Sequence, residues 1–350
     1  MNFFKKLFGS SDSETKQDNP FLDNMDTAEN ETNTQTAETV NEEQANKERD
    51  KEFETLRDDG LRAMRMNEYQ YAERLFIGAL TRKDDEDTRS YLAEVYLRLG
   101  AGAKALPLLE SLSEKHPDNE DLHITVAQAA EQAGDWDKMR KAANLAYELN
   151  DNNPNALFLI AKADYQQKEY LQTVTVLTQL LSKRFDAAPI YQLRAQTLFD
   201  MQQYDSAEKD VDELLSRDEV SEETYQLKGD IRYALEDYDG AVEFYKKMRE
   251  NDPFNKASVL RENVIYLKQN NLERAINLLD EAIELQPDFS EAYFQRGNIR
   301  RQLHDNAGAT DDLKRSLELN KKIAAQFNGE YSNIENQMNA QARLRNPFGF

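Results

Sequence analysis

The feature that most limits what this chain can fold into is a recurrence every 34 residues. Stepping by that interval from Ala93 meets Ala127, Ala161, Ala195 and Gly229, then Asn263 as an exception, then Gly297. From Ala207 the same step meets Ala241, Ala275 and Ala309. An aromatic column runs Trp136, Tyr170, Tyr204, Tyr238, and a bulky apolar column runs Leu109, Leu177, Val211, Tyr245, Leu279, Leu313, broken at Ala143. Pro117, Pro253 and Pro287 share a further column. Blocks starting at Glu86, Glu120, Pro154, Ala188, Glu222, Lys256 and Ser290 keep register without an insertion. One more, from about Phe53, sits one residue out of phase, with Gly60, Tyr69, Ala72, Phe76 and Ala79 in the matching places.

A fixed period of this length means one supersecondary unit used repeatedly. Each block reads as two short amphipathic helices whose apolar stripe is too wide for one helix to hide, so neighbours must stack. The small columns mark close helix approaches. The prolines end second helices, because proline offers no amide and clashes with the preceding turn. Departures are expected to weaken joints: Met139 and Thr173 stand where the tight column wants Ala, Pro107 falls inside a second helix, and Gly100 with Gly102 is expected to lengthen a turn.

The pattern of small residue, aromatic, Ala, bulky residue, Ala and Pro resembles the tetratricopeptide repeat family. Glu222–Asn255 carries it with Tyr225, Gly229, Tyr238, Ala241, Tyr245 and Pro253, and Lys256–Phe289 with Tyr266, Ala275, Leu279, Ala282 and Pro287. The likeness spans about Phe53 to Ile323. It implies an all-α, right-handed α-solenoid of about eight helix-turn-helix repeats over 51–323. Residues 324–350, with Phe327, Tyr331, Ile334, Met338 and Leu344, are expected to supply a capping helix and a flexible tail.

Composition narrows the function. The 350 residues carry 44 Lys+Arg against 66 Asp+Glu, a formal charge of −22. So negative a field repels phosphate backbones, and no nucleic-acid partner is expected. Cysteine is absent, which removes thiolate metal sites, thiol nucleophiles and disulfides. No apolar run approaches the length that crosses a bilayer, and Met1–Gly9 does not read as a secretory signal. A cytoplasmic location is expected. Residues 1–50, with 5 basic and 12 acidic side chains, hold almost nothing to bury and are expected to be disordered.

No catalytic constellation stands out. His116, His123 and His304 lack metal-ligand spacing, and no phosphate loop, nucleophile elbow or dinucleotide fingerprint occurs. The chain is therefore read as not an enzyme, with no cofactor and no metal. Its abundant carboxylates are solvent-facing by default.

In the family it resembles, first helices of successive repeats line an inner groove that binds peptides or partner helices. Projected here, one column is Leu97, Glu131, Tyr165, Phe199, Tyr233, Leu267, Arg301, a second contains Lys162, Gln196 and Asp230, and a third is Arg98, Gln132, Gln166, Asp200, Ala234, Lys268, Gln302. Tyr165, Phe199 and Tyr233 would form an aromatic stripe flanked by Gln166, Gln192 and Gln196, rings giving contact area and amides pairing with a bound backbone. Two placements of the rings stay open: facing the groove, or packing between their own helices. Trp136, Tyr170, Tyr204 and Tyr238 read as fold markers. The clamp by which chaperone-binding members hold a terminal carboxylate finds no match, since Asn298 is preceded one turn earlier by Phe294.

The expected function is a non-catalytic scaffold or adaptor for a peptide or partner protein of unknown identity. Two alternatives are a membrane-associated assembly factor, tethered by Phe3, Phe4, Lys5, Lys6, Leu7 and Phe8, and a non-catalytic subunit of an enzyme complex. Direct membrane contact is not expected. The repeated Asn-Pro-Phe at Asn19–Phe21 and Asn346–Phe348 reads as turn chemistry.

Overall fold

A computed structural model describes residues 32–217 and 220–328, with side chains described from 44 to 321 outside 218–219. Among these residues every regular element is a helix. The helices fall into pairs: α1 (Thr32–Arg65) and α2 (Tyr69–Arg82), α3 (Glu86–Arg98) and α4 (Gly102–Lys115), α5 (Glu120–Ala133) and α6 (Trp136–Leu149), α7 (Pro154–Gln166) and α8 (Tyr170–Ser182). The remaining pairs are α9 (Ala188–Asp200) and α10 (Tyr204–Leu215), α11 (Glu222–Ala234) and α12 (Tyr238–Asn251), α13 (Lys256–Lys268) and α14 (Leu272–Leu285), α15 (Ser290–Gln302) and α16 (Asn306–Asn328). These are the eight blocks read from the period.

Packing divides the chain into two units, with the boundary between Val95 and Tyr96, inside α3. In the first unit α1 packs on α2 and buries Phe53, Ala63, Ala72, Phe76 and Ala79. In the second, from α4 to α16, each helix packs on its chain neighbours, and contacts reach little further. That is the quasi-one-dimensional pattern of a stacked repeat.

A single backbone device ends every first helix. Asn67, Gly100, Gly134, Lys168, Gln202, Glu236, Asn270 and His304 all have φ between 55° and 72°, one per repeat, spaced by 34 after a first step of 33. Behind each, the next amide reaches back five residues: Glu169 N–H donates to the Asp164 carbonyl at 2.8 Å, Gln203 to Leu198 at 2.8 Å, Asp237 to Arg232 at 2.9 Å and Asn271 to Tyr266 at 2.7 Å. This left-handed cap satisfies carbonyls the helix end would otherwise leave open. Asp135, Asp237 and Asn271 then cap the following helix through a side-chain oxygen. The three-residue turn 99–101 has the same length as 167–169, so Gly100 does not lengthen it. Gly100 instead occupies the left-handed position, and Gly102 opens α4 against α5, where a Cβ would meet Gln132 and the Ala129 carbonyl.

The small columns are the tight contacts. Ala207, Ala241 and Ala275 are fully buried, as are Met139 and Thr173 at the equivalent positions. Thr173 turns its hydroxyl back to the Glu169 carbonyl, 3.1 Å away. Pro107 sits in the second turn of α4 without interrupting it.

One column changes chemistry along the chain. Leu92, Val126 and Ile160 give way to Arg194, Lys228, Glu262 and Arg296. Arg194 makes a bidentate bond to Asp210 at 2.6 and 2.7 Å, Lys228 pairs with Glu208 and Asp212, Glu262 pairs with Arg249, and Arg296 grips Asp312 and Asp280. Partnered ions thus fill a position that elsewhere is apolar, and stripping one partner would strand a buried charge.

α1 begins at Thr32, inside the segment expected to be disordered to Asp50. Its residues 44–52 are all exposed, so this stretch is held by strong helix formers (Glu, Gln, Ala, Lys) continuing into a packed helix. At the other end α16 runs on without a break through 323 to Asn328. The expected capping segment beyond Asn328, the Phe3–Phe8 segment and both Asn-Pro-Phe triplets lie outside the described residues.

Candidate interaction surface on the first helices

Within the second unit the first helices of consecutive repeats also approach one another: α5 lies beside α7, α7 beside α9, and α9 beside α11. The candidate residues sit on this row, all but Gln192 in the last two turns of α7, α9 and α11. The left-handed caps fix where those turns stop, so the same register recurs 34 residues on.

Tyr165, Phe199 and Tyr233 are all half-buried. Each packs on the aromatic that opens the second helix of its own repeat. Tyr165 and Tyr170 have centroids 5.9 Å apart at 47°, Phe199 and Tyr204 5.5 Å at 56°, and Tyr233 and Tyr238 5.7 Å at 58°. One side of each ring is packed across its own turn, and the remainder stays accessible. The columns read as fold markers are the backing of the stripe. The i, i+5 spacing across a turn of constant length was the signal for this pairing.

Polar groups cross-link the row. Lys162 pairs with Glu131 on α5 and stands 5.9 Å from the Phe158 ring. The Tyr165 hydroxyl donates to Asp200 on α9 at 2.8 Å, and Gln196 donates to the other oxygen of Asp200 at 3.0 Å. Burial, then this bond to a carboxylate, pushes the Tyr165 phenol well above its ordinary range. Thr224 on α11 donates to Gln192 at 3.1 Å. Gln166 is exposed.

Asp230 is placed differently from its neighbours. Its side chain keeps 12% exposure and accepts from the Tyr245 hydroxyl at 2.7 Å and from Arg261 Nε at 2.9 Å. Burial holds its carboxyl above the usual aspartate range, against the pull of Arg261. It ties three helices together, with little left to offer a ligand. Two further residues stand beside the rings: Asp200, exposed at the end of α9, and Lys268, whose Nζ lies 5.0 Å and 5.1 Å from the Tyr233 and Tyr238 centroids. Both stand in the column one residue after the aromatic stripe.

His123 is buried, its Nε2 2.8 Å from the Pro117 carbonyl. Among the described residues no group of three or more His, Asp or Glu could hold a metal ion, and no helix is long and apolar enough to cross a membrane.

Comparison with known proteins supports the same architecture. The family model described as tetratricopeptide repeat matches residues 92–156 and 193–256, and one described as TPR repeat matches 265–303. No curated protein matches the chain by sequence. The solved structure of PilW, described as a widely conserved type IV pilus biogenesis factor, is 16% identical. The match covers 61% of this chain and 97% of that one with a TM-score of 0.50, a likeness of fold. A tetratricopeptide repeat protein from Parabacteroides merdae is 21% identical over 58% of this chain and 80% of that one, with a TM-score of 0.46. YrrB, described as a TPR protein with an unusual peptide-binding site, is 18% identical over 52% and 93%, with a TM-score of 0.44.

Proposed function

Because the chain is a tetratricopeptide-repeat protein, we propose that it works as a non-catalytic scaffold holding a peptide or partner protein along its row of first helices. The observation that carries this reading is the stripe of Tyr165, Phe199 and Tyr233. Three half-buried rings stand in three consecutive repeats at one register, each braced by a second ring. Braced rings offer large contact area with little entropy left to lose, which is how aromatic anchors dominate protein interfaces.

The flanking groups support the same use. Gln166 and Asp200 are exposed beside the rings, and Lys162, Gln192 and Gln196 hold the row in register through bonds between or along the helices. The repeat region, 51–323 by the sequence reading, is then the binding part.

The test is affinity capture from the source cell by full-length protein, beside a Tyr165→Ala, Phe199→Ala, Tyr233→Ala bait with an unchanged helical circular-dichroism spectrum. A partner held by the first bait and lost from the second supports the reading. A partner held equally by both contradicts it.

A further inference from the structure

The three ring pairs are not equivalent in what faces them. Phe199/Tyr204 and Tyr233/Tyr238 have nearly the same geometry, 5.5 Å at 56° against 5.7 Å at 58°. The second pair holds a cation: Lys268, the exposed last residue of α13, reaches from the next repeat and sets its ammonium 5.0 Å from one centroid and 5.1 Å from the other. Thirty-four residues earlier the same position is Ala234, the last residue of α11. Among the described residues no ammonium or guanidinium stands over Phe199 or Tyr204. At the remaining pair the position is Asp200, which takes the Tyr165 hydroxyl bond. One frame thus presents a carboxylate, a methyl group and a lysine in turn.

Aromatic faces attract cations through the ring quadrupole, and the frame itself shows that it accepts an ammonium. Carboxylates flank the vacant pair in sequence: Asp200 follows Phe199 and Asp205 follows Tyr204, both exposed, as Asp239 follows Tyr238 at the occupied pair. The chain's charge of −22 draws the same class of ligand.

We infer that Phe199 and Tyr204 form a seat for a Lys or Arg side chain of a bound basic protein segment, the place that Lys268 fills from within one repeat later. The inference rests on reading the first-helix row as an interaction surface, and it names the class of partner: an extended segment with a basic side chain at this register.

The test uses full-length protein and a fluorescein-labelled peptide of alternating Gly and Lys, read by fluorescence anisotropy. Ala234→Lys supplies the internal ammonium. Gln172→Lys, exposed on α8, adds the same charge away from the seat. Tyr204→Leu removes one ring face without changing charge. The expected result is that Ala234→Lys binds the peptide about fivefold more weakly than Gln172→Lys, and Tyr204→Leu about fivefold more weakly than wild type. Equal affinities within both comparisons, or no binding by wild type, overturn the seat. Should Tyr204→Leu fail to fold, the two lysine variants decide alone. Failure of the seat leaves the row reading to the triple-alanine capture, which reports on a partner of any charge.

Discussion

Gly229 on α11 faces Tyr245 on α12 so closely that a Cβ at residue 229 would stand 2.8 Å from the ring's Cδ1. The hydroxyl of the same ring donates to Asp230, the residue after the glycine, at 2.7 Å. Gly60 meets Phe76 in the same way, with a Cβ 2.8 Å from Cδ1. Where the small column holds Ala161 or Ala195, the bulky column holds Leu177 or Val211. At these four repeats the two columns are matched in size.

Gly229→Ala is expected to destabilise the protein by about 1–3 kcal/mol through overpacking against Tyr245. The same substitution in a Tyr245→Leu background should cost less, since the ring that blocks the methyl is gone. Urea unfolding of the four proteins in this cycle checks it. Additive costs would show that the ring is not what excludes the methyl.

The left-handed caps give an opposite prediction. Five of the seven spaced by 34 carry Lys168, Gln202, Glu236, Asn270 and His304, and an L residue there costs about 1–2 kcal/mol, partly offset by glycine's looser unfolded state. Gln202→Gly should therefore stabilise by about 0.5–1 kcal/mol. Gly134→Ala should destabilise by about 1 kcal/mol from backbone alone, because a Cβ there meets no atom within 4 Å. Thermal midpoints moving the other way would contradict the cap.

Asn263 breaks the small column and is buried to 1% exposure, and neither side-chain oxygen nor nitrogen finds a hydrogen-bond partner among the described residues. A buried, unsatisfied amide costs about 1–3 kcal/mol. Asn263→Ala should raise the thermal midpoint and restore the column. A lowered midpoint would mean that the amide is engaged after all.

Asp230 supplies a pH signature. Burial raises its folded pKa above the ordinary value of 3.8. Its stabilising contribution is then fully present below that ordinary value and is lost as pH rises through the folded value. Wild type should lose ground to Asp230→Asn as pH climbs from about 3.5 toward 7, in urea midpoints measured side by side. A gap that moves in favour of wild type over that rise would show a depressed pKa.

Much of the fold was legible because it depends on which residues are small, bulky or proline at a fixed period. The block from Phe53 reads as one residue out of phase, and its cap at Asn67 precedes the next, Gly100, by 33 residues. The caps themselves were hidden, because Lys168, Gln202 and Glu236 carry no turn signature; Gly100 was read instead as part of a longer turn. Helix also extends to Thr32 in a segment whose described side chains up to Glu52 bury nothing. At the surface, the sequence placed Tyr165, Phe199 and Tyr233 on one register, but their bracing rings depend on the turn's geometry. The engagement of Asp230 by Tyr245 and Arg261 depends on reach between three helices. Neither is written in a column.

The central claim is that a partner lies along the first helices. Site-specific photocrosslinking in the source cell tests it most directly, with benzoylphenylalanine placed at Gln166 or Ala234 on that row, or at Gln172 or Lys209, exposed on second helices. The account predicts one crosslinked species of the same mass from Gln166 and Ala234 and none from the other two. Crosslinks confined to Gln172 and Lys209 would put the partner on the second helices and contradict the claim.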